Sequence, residues 1–353
     1  MPQIDPLLSF ESVDADWLSR LLGQEIGIVS STPVGTGQVG ATYRFVLTAD
    51  QSSQNVPASL IGKFMATDPI SRATGIAQSS YLREVNFYNH YGRTQGLPIP
   101  ICHFGAIDPA SHDFILIMED FPKHRSGNQL EPASLQEAQL AMDAAARLHA
   151  PFWGDTGLDQ QSWLNGSKAI EPMNVDALYT MLWPAFCDRY QARIGDEIKA
   201  VGEGYSGRIN AWIANRSGPR CLTHGDYRPD NMLFLEGDTD RPLVIVDWQT
   251  AGVGNGATDI AYYLGTALSP DMRRTHEAAL VDRWIKGLIA AGIAQSETAQ
   301  LWDCYRRDAV AGFIMGVLAS MIVVQTPRGN TMFLEMCSRS AQMVLDHDAI
   351  ALI

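Results

Sequence analysis

The sequence predicts an α+β protein: a small antiparallel β-sheet with one inserted helix in the N-terminal third, and helices almost throughout the rest. Two textures carry this expectation. Up to Met118 apolar residues alternate with smaller or polar ones in short runs, and after Pro122 their spacing becomes helical. A chain of 353 residues, 46% hydrophobic and 18% charged, is large enough to bury a sizeable core and to split in two. The change of texture near Met118 to Lys123 sets the expected division, residues 1–120 as an N-terminal lobe and 121–353 as a C-terminal lobe.

In chain order, Val13, Trp17, Leu18, Leu21 and Leu22 recur at helical spacing, with Ser12 as a possible N-cap and Gly23 as a stop. From Glu25 to Leu47, Ile26 and Ile28 and then Tyr43, Phe45 and Leu47 alternate as in a hairpin, across a glycine-rich turn. A polar loop from Asp50 to Ala58 precedes a third strand, Leu60 to Met65. A helix around Tyr81 to Tyr91 follows, then strands near Ile101 to Ala106 and Phe114 to Met118. Ser134 and Glu137 form a capping box that opens a helix running through His149. The segment from Val175 to Ala214 reads as helices rich in Trp and Tyr, interrupted by Gly202, Gly204 and Gly207. From Thr258 the chain is again helical.

A formal charge of −13 without any long Lys/Arg cluster argues against a nucleic-acid partner and mildly favours a cationic or neutral small substrate. Cys102, Cys187, Cys221, Cys304 and Cys337 are scattered without metal-ligand spacing, which suits a reducing cytoplasm. Met1 to Asp5 lacks the features of a signal peptide. The longest apolar run, Ala309 to Val324, is shorter than the ~20 residues a membrane span needs, so it reads as a buried helix and no membrane association is expected. Gly312 and Gly316 within it fit close packing of soluble helices.

The chemistry-bearing residues form one series. Gly35, Gly37 and Gly40 satisfy GxGxxG, a pattern shared by two phosphate-binding arrangements. A dinucleotide fold would open a helix here and place an acidic residue about 20 positions on. Instead Ala41 to Leu47 alternate as a strand, and Gln51 to Lys63 contains no acid, so a glycine-rich hairpin over nucleotide phosphates is favoured; a bare turn is the alternative. Lys63 lies in an apolar strand, where it needs an anionic partner or must reach solvent from an edge. Glu84 is the sole acid between Tyr81 and Tyr91 and is the natural partner, together with phosphate.

The most informative segment is His224-Gly225-Asp226-Tyr227-Arg228-Pro229-Asp230-Asn231, with Asp247 after the apolar run Val244 to Val246. Phosphoryl transfer to a hydroxyl needs a carboxylate to orient the attacking oxygen and take its proton, and oxygen ligands for Mg²⁺. Asp226 suits the first role, Asn231 and Asp247 the second, and Arg228 could steady the transferring phosphate. His224 reads as a brace for the loop and His149 as a structural histidine. Asp259 either fixes the loop through backbone hydrogen bonds or caps a helix.

These residues resemble those of the aminoglycoside phosphotransferase and choline kinase superfamily, which shares its fold with protein kinases. His224 to Asn231 stands in register with the HRDLKPEN type of catalytic loop, with Gly225 in place of the Arg. The resemblance implies a protein-kinase-like two-lobe fold and ATP and Mg²⁺ as cofactors. Within it Asp226 is the base, Asn231 and Asp247 the metal ligands, and Lys63 and Glu84 the phosphate-positioning pair. Glu119 to Phe121 would be the hinge whose backbone meets adenine. Asp247-Trp248-Gln249 replaces Asp-Phe-Gly and no Ala-Pro-Glu motif follows, so a small-molecule acceptor is expected rather than a protein. Ile115 to Asp120, together with the long helical segment before His224, looks most similar to the ecdysteroid kinase-like branch and to the kinase domains associated with acyl-CoA dehydrogenases.

The expected activity is therefore ATP-dependent phosphorylation of a small-molecule hydroxyl. A wall of Tyr179, Trp183, Phe186 and Tyr190 would face the acceptor, unless these rings are simply core. The alternative is a nucleotide-binding pseudokinase acting as a regulatory or interaction module, against which the intact Lys63, Asp226, Asn231 and Asp247 speak.

Overall fold

Five strands pair into one antiparallel sheet in the order β1-β2-β3-β5-β4: β1 Ile26–Pro33, β2 Gly40–Ala49, β3 Ser59–Met65, β4 Cys102–Ile107 and β5 Phe114–Glu119. This is a computed structural model, which describes residues 9–35, 39–49, 56–169, 171–237 and 239–353. The chain divides into two units, the first comprising residues 1–125 and 245–250, the second 126–244 and 251–353.

In the first unit β3 is the central strand, with Phe64 opposite Ile115 and Leu60 opposite Glu119. Its apolar face joins Phe45, Ile115 and Ile117 in a core closed by Trp17 and Leu18 of helix α1, Ala15–Leu22. Trp17 meets Phe104 edge-on at 5.3 Å, and full burial of such a ring contributes on the order of 3 kcal/mol. The cap of α1 is Asp14 rather than Ser12: its carboxylate accepts from the Trp17 N–H at 2.7 Å, while Ser12 ends a preceding 3₁₀ turn. A negative charge at the first turn also complements the helix dipole. Gly23, at φ +69°, ends the helix as expected.

Helix α2, Pro69–Ala77, was not anticipated, although Asp68 as cap with Pro69 as the first helical residue is a legible start signal. Helix α3, Ser80–Tyr91, then turns Glu84, Phe87 and Tyr88 inward. Residues 245–250 complete the unit: Ile245 N–H donates to Pro98 O at 2.7 Å, and the buried Trp248 stacks on Phe87 with centroids 3.9 Å apart.

The second unit is helical. Helix α4, Leu135–His149, carries the expected capping box. Next come α5 Val175–Tyr190, α6 Asp196–Tyr205, α7 Ile209–Ala214, α8 Ala257–Ala267 and α9 Pro270–Ala290. Helices Ala311–Ile322 and Pro327–Asp346 come later, followed by a 3₁₀ turn, Ala349–Leu352. Gly202 and Gly204 do not interrupt a helix but lie inside α6, because the Trp183 ring and the Ile350 side chain fill the space a Cβ would need. Gly312 and Gly316 likewise make room for Thr266, Ser340 and Cys337. Tyr179, Trp183, Phe186 and Tyr190 are core, not an acceptor wall: all four are buried and their rings follow one another along α5. Among the described residues no helix is long and apolar enough to cross a membrane.

Candidate functional site

In the first unit the site is built around Lys63. The residue sits on β3 between Gly62 and the buried Phe64, and its ammonium lies 2.8 Å and 2.7 Å from the two oxygens of Glu84 and 2.8 Å from Asp247 Oδ1. Burial opposes its charge, yet the Asp247 and Glu84 carboxylates outweigh that and raise the Lys63 pKa. Glu84, with 2% of its side chain exposed, has its own pKa raised, chiefly by burial, against the pull of Lys63. The Trp248 N–H also donates to Glu84 Oε1 at 3.2 Å. The chain reaches Asp247 with φ +67°, a left-handed backbone that aspartate tolerates better than most residues.

The glycine series is partly visible. Gly35 turns at φ +77° with nothing near a would-be Cβ, so the backbone itself calls for glycine there. Gly40 opens β2, and a Cβ on it would come 3.2 Å from Phe64 O and 3.5 Å from Lys63 Cε. Gly37 lies outside the described residues. The Tyr81 hydroxyl donates to Val39 O at 2.5 Å, tying this turn to α3.

Glu119 ends β5, its N–H donating to Ile101 O and its carboxylate accepting from the Ile101 N–H at 3.2 Å. The Phe121 ring meets His124 edge-on. Between them Asp120, part of the expected hinge but with no partner expected for it, accepts from Arg44 Nε at 2.6 Å and Ser59 Oγ at 2.5 Å, fixing that hinge to β2 and β3.

In the second unit the loop from His224 to Asn231 follows the buried strand Cys221–Thr223. Asp259, in the first turn of α8, accepts from the N–H groups of His224 at 2.7 Å and Gly225 at 3.0 Å. Of the two roles expected for Asp259, the structure thus shows the backbone one. Burial opposes its ionisation, but His149 and His224 hold its pKa below the usual carboxylate range. His149 takes a hydrogen bond from Trp284 Nε1 on Nδ1, which turns its Nε2–H toward Asp259 at 3.3 Å. His224 Nδ1 accepts from the Asp226 N–H at 3.2 Å, so it braces the loop.

Asp226 emerges from this frame with both oxygens held. Oδ1 accepts from the Tyr262 hydroxyl at 2.7 Å, Oδ2 from Asn231 Nδ2 at 2.8 Å, and Arg228 Nε reaches both at 3.0 Å. Burial works against the charge, but Arg228 and Tyr262 lower its pKa, so it is ionised at neutral pH. Asn231 spends its amide hydrogens on Asp226, and its Oδ1 accepts no hydrogen bond among the described residues. Arg228, expected to steady a phosphate, is engaged with Asp226 and, through Nη1 at 3.0 Å, with Asp230. Tyr262 was missed, though its position three residues after Asp259 on one helical face was a usable signal.

The family model described as "Phosphotransferase enzyme family" matches residues 70–306. No curated protein matches the sequence. Among solved structures, the Plasmodium vivax ethanolamine kinase is similar with a TM-score of 0.54 and 12% identity, over 88% of this chain and 81% of that one. The gentamicin complex of APH(2″)-IIa is similar with a TM-score of 0.50 and 17% identity, over 94% and 98%.

Proposed function

The chain belongs to the phosphotransferase enzyme family and is a small-molecule kinase by that membership, and we propose that it moves the γ-phosphoryl group of ATP, with Mg²⁺, onto a hydroxyl of its substrate. The observation that carries this reading is the state of Asp226: an ionised carboxylate gripped by Tyr262, Arg228 and Asn231 on a loop that Asp259 pins by its backbone.

The donor chemistry fits the cofactors. No group of three or more His, Cys, Asp or Glu side chains suited to a metal occurs among the described residues, and Mg²⁺ characteristically takes one or two protein oxygens with the rest from phosphates and water. Asp247, with 29% of its side chain exposed, and Asn231 Oδ1 are such hard oxygen donors. Lys63, already paired with Glu84, keeps its charge and presents it to phosphate oxygens. When bound, Mg²⁺–ATP supplies the transferable phosphoryl group and the cation that offsets its charge. Asp226 orients the acceptor hydroxyl and takes its proton as the oxygen attacks. Arg228 holds Asp226 ionised and aimed, and Asp259 fixes the loop that carries it. All five cysteines are unpaired thiols, which suits the reducing cytoplasm proposed for the protein.

The test is thermal stabilisation by ATP with and without Mg²⁺, followed by turnover of a hydroxyl-compound panel by the wild type and Asp226→Asn. Mg²⁺-dependent stabilisation, with turnover lowered ~10²–10⁴-fold in the variant, is expected. Full activity of Asp226→Asn would remove Asp226 from the mechanism. No ATP binding at millimolar nucleotide would sink the ATP reading.

A further inference from the structure

Two and four residues beyond Asp226 stand Arg228 and Asp230, and the helix Pro327–Asp346 adds Arg328 to the same cluster. Asp230 accepts from Gln129 N–H at 2.8 Å, Arg228 Nη1 at 3.0 Å and both Nη atoms of Arg328 at 3.1 Å. Burial opposes its charge, but Arg328 and Arg228 lower its pKa. Two carboxylates and two guanidiniums therefore cancel, and neither Asp226 nor Asp230 is left as an uncommitted acid on the loop. Arg328 is the accessible member, with 43% of its side chain exposed against 14–16% for Arg228 and Asp230. Its Nε, like Arg228 Nη2, makes no hydrogen bond among the described residues.

We propose that Arg328 is a specificity residue for the acceptor, holding a carboxylate or phosphate group carried by the hydroxyl compound that Asp226 orients and disfavouring acceptors that carry an ammonium. The proposal rests on the phosphotransfer reading above and names the substrate class of that site. The whole-chain charge of −13 favours a cationic acceptor, but charges more than ~8–10 Å away are largely screened, so the local cluster decides. An ammonium would have to strip Arg328 from Asp230 to find a partner. An anion instead meets the Nε side of a planar fork that Asp230 already orients, where Nη2 reaches Asn128 Oδ1 only at 3.5 Å, at a small entropy cost. The fork is also well based: Thr326 caps its helix by accepting from the Gly329 N–H at 2.9 Å, and Pro327 is the first helical residue.

The experiment uses the full chain with Mg²⁺–ATP and four acceptors of matched size: a hydroxycarboxylate, an alcohol phosphate monoester, an amino alcohol and a neutral diol. Wild type, Arg328→Gln and Arg328→Lys are compared by kcat/KM, with Mg²⁺–ATP affinity measured on each. One of the anionic acceptors should exceed the amino alcohol in wild type, and the two anionic arms show which anion is taken. Arg328→Gln should cut the anionic-to-neutral ratio ~10–100-fold, with Arg328→Lys recovering part of it. A wild-type preference for the amino alcohol overturns the proposal. So does an equal loss on all acceptors or an unchanged ratio in Arg328→Gln. These results, obtained with Mg²⁺–ATP affinity intact, leave the phosphotransfer reading standing, whereas absence of ATP binding to wild type overturns both.

Discussion

Replacing Lys63 with methionine keeps the length of the side chain on β3 and removes the cation that Glu84 and Asp247 share. Glu84 is 2% exposed and loses contacts to both oxygens, retaining the Trp248 N–H; Asp247 is 29% exposed and can recruit water. A charge-assisted hydrogen bond contributes ~1.5–3 kcal/mol, and the Glu84 share belongs at the upper end, with ~1 for the wetter Asp247. The sum, about 4 kcal/mol, agrees with the usual cost of orphaning a buried charge, roughly 3–5 kcal/mol. The pH dependence has a definite sign. Glu84 already has a folded pKa above its ordinary 4.5, and losing Lys63 raises it further. A carboxyl raised in the folded state stabilises below its unfolded pKa, and that contribution is lost as pH climbs through the folded value. The variant's deficit should be small near pH 4.5 and largest at pH 8. Urea unfolding across this range, in a cycle with Glu84→Gln and the double variant, should give a coupling of about 2 kcal/mol at pH 8. A coupling under ~0.5 kcal/mol, or a deficit that ignores pH, would refute the buried pair.

Asp259→Asn should cost ~2–3 kcal/mol, because two backbone N–H groups and His149 lose a charged acceptor. The Asp259 pKa is lowered below 3.8, so its stabilisation is present above that value and lost as pH falls; the variant should lose part of the wild type's acid sensitivity in urea unfolding. An unchanged acid limb would count against the loop brace. Tyr262→Phe removes a hydrogen bond that lowers the Asp226 pKa, so the acid limb of kcat/KM should move to higher pH; a stationary limb would show that Asp226 does not titrate in catalysis. Gly202→Ala drives a Cβ into the Trp183 ring and should lower stability by ~1–3 kcal/mol despite alanine's better helix propensity. A rise in Tm would show that the ring has room to move.

What the sequence made legible was local chemistry and periodicity. Lys63 in an apolar strand demanded a partner, and Glu84, the sole acid on α3, supplies it. The capping box at Ser134 and Glu137 carries its own geometry and was readable from spacing alone. Interactions between distant residues were not readable: nothing near Asp120 marks Arg44 as its partner, nor does Asp230 announce Arg328. Glycine misled inside α6, since backbone flexibility and packing space leave the same letter in the sequence. The aromatic series on α5 left two readings open, because helical spacing does not say whether a buried face meets a ligand or another helix.

Residues 245–250 belong to the first unit, whose other residues end at 125. On a ribosome, this unit must therefore wait for a hexapeptide made after the 119 intervening residues of 126–244. At roughly 5–20 residues per second, that wait is about 6–24 seconds. Throughout it Phe87 lacks its stacking ring, Glu84 lacks the Trp248 N–H, and Lys63 lacks one of its two carboxylates. The nascent sheet can form early, but its chemistry is assembled only once the chain has passed Thr250. Truncations upstream of that point should give an N-terminal piece with strands and no finished cation clasp.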